Sequence, residues 1–196
     1  MKGANSMRRF FRGLTIVSCC MVFAAQVAPP STAPAARLTT AQRRAQSAAE
    51  RTTLFLNKPM TIKGTTLDGK EFSSDSLKGK VLMIDFWASW CPDCAAEQPK
   101  IISTYKKFHD KGLEIVAISS DVTAADLKEF LGKHPELPWL QLWSPPVSGR
   151  HPLNAQYKLN WIPTTFLIDK NGTCRSIDAS DNLDTLIPPL LEEAAK

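Results

Sequence analysis

The apolar run Val81-Leu82-Met83-Ile84 leads through Asp85-Phe86-Trp87-Ala88-Ser89-Trp90 into Cys91-Pro92-Asp93-Cys94, and no other stretch of the 196 residues constrains the fold as much. Such a run reads as a strand buried on both faces, the habit of parallel sheets, delivering Cys91 to the start of a helix. The unpaired N–H groups and the macrodipole at that point favour a thiolate over a thiol. Pro92 suits the first helical position, where its missing N–H has no partner to lose and its φ is already helical. Cys94, one turn on, is near enough to attack a mixed disulfide formed at Cys91, so the pair reads as a reversible dithiol-disulfide. Two other readings stay open. One is half of a zinc site, although His109, His134 and His151 show no paired ligand spacing. The other is a permanent structural disulfide, whose i, i+3 loop is too short to stabilise a fold much. No metal ligand and no cofactor is assigned.

The net charge of +5 is misleading, because residues 1–51 hold eight basic side chains against the single acid Glu50. The remainder is slightly acidic and lacks the electrostatic footprint of a nucleic-acid binder. Basic residues up to Arg12 precede an uncharged stretch from Gly13 to Ala28, the layout of a secretory n-region and h-region. Residues 1–28 are therefore expected to be a signal peptide, with an uncleaved signal anchor holding the chain to a membrane as the alternative. Export to the periplasm or another extracytoplasmic space follows. The acid-free, Arg- and Ser-rich first 49 residues also fit an organellar transit peptide. Residues 29–53 read as a Pro/Ala-rich linker followed by a marginal helix whose apolar face is only alanine. The folded domain is expected over 54–196, long enough for one core.

Within that domain Met60-Thr61-Ile62 and Glu71-Phe72, separated by Leu67-Asp68-Gly69-Lys70, read as a hairpin. Strands are expected at Val81–Trp87, Leu113–Ser119, Trp139–Trp143, Thr164–Asp169 and Thr173–Ile177. Helices are expected from Pro92 to about Lys111, kinked at Pro99, after the cap Thr123, and near Thr185–Ala194 with Pro188 and Pro189 in the first turn. Strands alternating with helices make a βαβ half, and a closing ββα makes an antiparallel half. The result is an α/β fold: a mixed central sheet with helices on both faces. Asp85 interrupts an apolar strand, so burial should raise its pKa. A carboxyl that exchanges a proton near neutrality is suited to deprotonating Cys94.

Lys78-Gly79-Lys80, the segment Ile84 to Cys94, Glu97, Pro99 and Ile162-Pro163-Thr164-Thr165-Phe166-Leu167-Ile168-Asp169 together resemble the thioredoxin fold. In particular they resemble its TlpA/ResA-like branch of extracytoplasmic thiol-disulfide oxidoreductases, from about Met60 to the C-terminus. The resemblance implies a three-layer thioredoxin-like architecture and a cis Ile162-Pro163 bond lying against the disulfide. It implies that the main chain of Ile162 pairs with a substrate strand, that Asp85 is the base for Cys94, and that Glu97 tunes the site. Trp90 and Pro92, on either side of Cys91, are expected with Ile162 and Pro163 at the substrate-binding surface. Asp93 and Glu97 should keep the Cys91 pKa nearer the value of about 7 found in reductants than the roughly 3.5 of strong oxidants.

The resemblance thus implies reduction of protein disulfides, with electrons supplied by an upstream redox protein. Similar proteins reduce cysteines for haem attachment or copper-site assembly. The Gly-Ala-Pro-Glu segment of dedicated cytochrome c maturation members is replaced here by Trp161-Ile162-Pro163-Thr164. Two alternatives are a copper-delivery module and a peroxiredoxin-like peroxidase. The first expects a cysteine spacing of three and a distal His, for which only His151 offers itself. The second expects Thr at position 88, which is Ala. Cys174 reads as a buried thiol.

Overall fold

The computed structural model describes residues 38–148 and 150–195, and Leu38–Lys196 forms one compact unit. The expected export segment and the start of the linker lie outside the described residues. No helix among the described residues is long and apolar enough to cross a membrane.

Strand β3 (Val81–Trp87) is buried at every position because neighbours flank it on both sides. It pairs in parallel with β4 (Leu113–Ser119) and antiparallel with β6 (Thr164–Ile168). With β5 (Leu140–Leu142) and β7 (Cys174–Ser176) outside them, the order is β5-β4-β3-β6-β7. Helix α2 (Pro92–Phe108) crosses from β3 to β4, and α3 (Ala124–Lys133) from β4 to β5. The βαβ half and the antiparallel half therefore meet at β3.

Side chains alternate along β3 and divide the core into two layers. Val81, Met83 and Trp87 pack with Ile101 and Phe108 of α2 and with Leu183, Ile187 and Leu190 of α5 (Leu183–Glu192), in the layer that holds both cysteines. Leu82, Ile84 and Phe86 face Ile62, Tyr157, Phe166 and Leu153, the last on the short helix α4 (Pro152–Gln156). Asp85 has the parity of Met83 and Trp87, so the strand's alternation sends a carboxyl into the cysteine layer.

The first strand of the hairpin forms three residues later than expected, as β1 (Lys63–Thr65), while β2 (Glu71–Ser73) begins where expected; Ile62, placed in the first strand, is instead drawn wholly into the core. This early part of the chain lines both rims of the sheet. Leu67 N–H donates to Gln141 O and Trp143 N–H to Thr65 O, both at 2.9 Å, beside β5. At the opposite rim Asn57 N–H donates to Cys174 O at 2.7 Å, and Cys174 N–H to Lys58 O at 3.0 Å.

Two expectations are corrected. Helix α5 begins at Leu183, so Pro188 and Pro189 are interior rather than in the first turn. The burial of Leu183, Ile187 and Leu190 at i, i+4 and i+7 draws the earlier residues into the helix. Helix α1 (Thr40–Phe55) opens with a capping box between Thr39 and Gln42 and runs past residue 53, where a linker was expected to end. Its packed face is not alanine: Ser47 and Arg51 are buried, and Phe55 sits 5.7 Å from the ring of Tyr157.

Candidate active site

Cys91 and Cys94 are joined as a disulfide, their Cα atoms 5.2 Å apart. Cys91 is the N-cap of α2, and its Sγ accepts a hydrogen bond from Cys94 N–H at 3.1 Å. Pro92 occupies the first turn and Asp93 follows it. A sulfur in that place takes the part an N-cap oxygen usually plays, and a negative charge on it is stabilised by the same N–H and by the helix dipole. Helix α2 continues without a break across Pro99. Both cysteines are buried, whereas Trp90 is 61 % exposed, so it presents an aromatic face beside Cys91 rather than packing in the core as Trp87 does.

Asp85 is 1 % exposed, and neither carboxyl oxygen has a hydrogen-bond partner among the described residues. Burial pushes its pKa up to about 7, with a smaller contribution from the charge of Glu97. Glu97, on the second turn of α2, is also pushed up, chiefly by burial; a hydrogen bond from Ser180 opposes this, and Asp181 and Asp178 add to it. The loop carrying these two acids is tied to the sheet where Ala179 N–H donates to Thr165 O at 2.9 Å, and Thr165 stands opposite Asp85. The structure thus brings Asp85 and Glu97 near enough to feel each other's charge, in surroundings that resist negative charge.

The Ile162-Pro163 bond is cis. Phe86 pairs with Thr164, so one further step along the register sets Pro163 beside Trp87, at the end of β3 that leads to Cys91. Ile162 packs against the cluster containing both cysteines. Its N–H and C=O make no hydrogen bond among the described residues.

One functional neighbour escaped the sequence. Asp121, after β4, is buried and accepts from Ser89 N–H at 3.1 Å, from the Ser89 hydroxyl and from Ser119 Oγ at 2.6 Å. It anchors the turn that presents Cys91, and nothing local marks an Asp after two serines as its partner. His151, the one distal histidine considered as a copper ligand, is buried and caps α4. Its Nδ1 accepts from Leu153 N–H at 3.2 Å, and its Nε2 is engaged by Ser144, 3.3 Å from the main-chain N and 3.2 Å from Oγ. Cys174 is fully buried on β7, and burial pushes its thiol up to about 11.

A disulfide capping the first helix of a βαβ unit, with a cis-proline strand entering alongside, is a thioredoxin-like arrangement, and residues 79–174 match the family described as Thioredoxin-like. The chain is similar to the thiol-disulfide oxidoreductase ResA of Bacillus anthracis, 34 % identical over 109 residues, 55 % of this chain and 60 % of that one. It is also similar to the thioredoxin-like protein YneN of Bacillus subtilis (strain 168), 30 % identical over 57 % of this chain and 64 % of that one. The chain therefore matches less than two thirds of the length of these relatives. Among solved structures, a putative thiol:disulfide interchange protein DsbE from Chlorobium tepidum superposes with a TM-score of 0.59 at 25 % identity, covering 70 % of this chain and 97 % of that one.

Proposed function

We propose that the chain is an exported thiol-disulfide oxidoreductase that reduces protein disulfides through a Cys91/Cys94 cycle. The observation that carries this is the placement of Cys91 Sγ at the N-cap of α2, receiving Cys94 N–H, with the unpartnered carboxyl of Asp85 in the same core layer. The names of its relatives support the same activity.

In the reduced state the Cys91 thiolate attacks one sulfur of a substrate disulfide, forming a mixed disulfide and releasing the other sulfur as a thiolate that takes up a proton. The substrate strand pairs with the main chain of Ile162, beside Pro163. Cys94 loses its proton to Asp85, whose pKa of about 7 suits it to accept and return one near neutrality. The Cys94 thiolate then attacks Cys91 Sγ, the second substrate sulfur leaves as a thiol, and the Cys91–Cys94 disulfide remains. Two electrons have passed to the substrate, and a dithiol partner upstream restores them.

The acids around the site support the reductive direction. Asp93 and Glu97 disfavour a negative charge on Cys91, which destabilises the thiolate form relative to the disulfide. Glu97 is the tuning residue, and Trp90 and Pro92 border the surface a substrate meets. Residues 1–28, basic and then apolar, are the export segment, by cleavage or as an anchor. The test is insulin reduction with dithiothreitol as electron source. Activity should vanish in Cys91→Ser, and Cys94→Ser should accumulate mixed disulfides. Unchanged turnover in Cys91→Ser rules the mechanism out.

A further inference from the structure

Arg51 of α1 is 0 % exposed, although its helix precedes the stretch that matches the thioredoxin-like family. Its Nη1 donates to Ser47 Oγ at 2.8 Å, and Ser47 Oγ donates to Lys158 O at 2.8 Å. Its guanidinium carbon lies 4.9 Å from the centre of the Trp161 ring, which Arg44 also approaches at 5.8 Å. Nε and Nη2 are buried with no hydrogen-bond partner, and Arg51 forms no salt bridge, among the described residues. An enclosed cation in that condition is costly, and a Leu or Met would fill the space without the charge. The face of Trp161 is the direct compensation; Asp178 and Glu50 help hold the charge against burial.

Those contacts fall on one strap. Helix α1 holds it at Lys158 and again at Trp161, the residue before Ile162-Pro163. Arg150 Nη2 steadies the middle by donating to Leu159 O at 2.6 Å, and Thr164 Oγ1 closes the turn by donating to Trp161 O at 3.3 Å. A planar guanidinium laid on an indole fixes the ring's orientation as a flexible aliphatic chain does not.

We propose that Arg51 is a positioning residue for substrate capture: stacked on Trp161, it fixes the strap that presents the main chain of Ile162 to the strand bearing the target disulfide. This rests on the oxidoreductase function proposed above and extends its machinery to a helix outside the family-matched stretch. Arg51 touches neither sulfur nor substrate. Its loss weakens docking and leaves the chemistry of Cys91 in place.

The full chain is assayed with insulin as the protein disulfide, alongside the rate at which iodoacetamide alkylates reduced Cys91. In Arg51→Met the KM for insulin should rise about five-fold or more, with kcat and the alkylation rate within about two-fold of wild type. Arg51→Lys, which keeps the charge without the planar fork, should fall between. Trp161→Leu should reproduce the KM effect, and Arg51→Met combined with Trp161→Leu should add little to either. Should Arg51→Met fail to fold, Arg51→Lys and Trp161→Leu decide the matter. An unchanged KM, an equal loss in KM and alkylation, or effects that multiply in the double variant overturn the inference. A wild-type chain that reduces no insulin overturns the oxidoreductase reading and this inference together, whereas an active wild type with unaffected variants overturns the inference alone.

Discussion

Asp121 accepts hydrogen bonds from both the main-chain N–H and the hydroxyl of Ser89, two residues before Cys91. A loop acid 32 residues downstream thereby sets the turn from which the disulfide is displayed. Removing it leaves the Ser89 N–H and the Ser119 hydroxyl without their acceptor in a buried place. Asp121→Ala should lower unfolding stability by about 2–4 kcal/mol, read as a reduced urea midpoint at unchanged m-value. A loss below about 0.5 kcal/mol, the range of an ordinary surface substitution, contradicts the anchoring role.

Asp85 and His151 make opposite contributions to stability against pH. The folded pKa of Asp85 is raised to about 7 from 3.8, so between those values the folded state holds a proton that the unfolded state has released, and stability falls as pH rises. His151 is depressed to about 4 from 6.5, so the unfolded state holds the extra proton in that window and stability rises with pH. Asp85→Asn should therefore match wild type near pH 4 and exceed it by up to about 4 kcal/mol above pH 7. Urea titrations of the disulfide form across this range check the sign; a variant less stable than wild type at pH 8 contradicts it.

The same carboxyl has a kinetic signature. If Asp85 accepts the Cys94 proton, release of the mixed disulfide should accelerate as pH rises through about 7. Asp85→Asn should slow that step about 100-fold at pH 7, while alkylation of Cys91 changes far less. Rapid-quench measurement of substrate release isolates the step, and an undiminished rate in Asp85→Asn assigns the base elsewhere.

Cys174 should be silent in the native protein. Its sulfur is enclosed, lies 3.4 Å from Ser176 O, and has a pKa raised to about 11 by burial. Mass-spectrometric mapping of iodoacetamide adducts after reduction should find Cys91 modified and Cys174 protected, with Cys174 labelled only in denaturant. Labelling of both at similar rates argues against the enclosed position.

Elements whose burial shows in their own composition were legible from sequence. Strands β3 and β4 occupy the expected residues, Thr123 caps α3, and the cysteine motif falls at the start of α2. What was not legible depended on partners far along the chain. Helix α1 looked marginal because its contact face is a hydroxyl and a guanidinium, which become buried groups only when Lys158 and Trp161 arrive. Helix α4, five residues long, has too few turns to show a period. Pro188 and Pro189 suggested a helix start, yet the apolar spacing from Leu183 outweighed them. In the site itself, the acid at Asp85 stood out against an apolar strand, whereas Asp121 had no such background.

The chain before β3 acts as a selvedge on the woven sheet, stitched to β5 through Thr65 and Leu67 and to β7 through Asn57 and Lys58. With both borders already sewn, an incoming extended peptide finds little purchase along the outer strands. Ile162, whose amide and carbonyl remain unclaimed among the described residues, is then, on the function proposed above, the main-chain foothold left to a client.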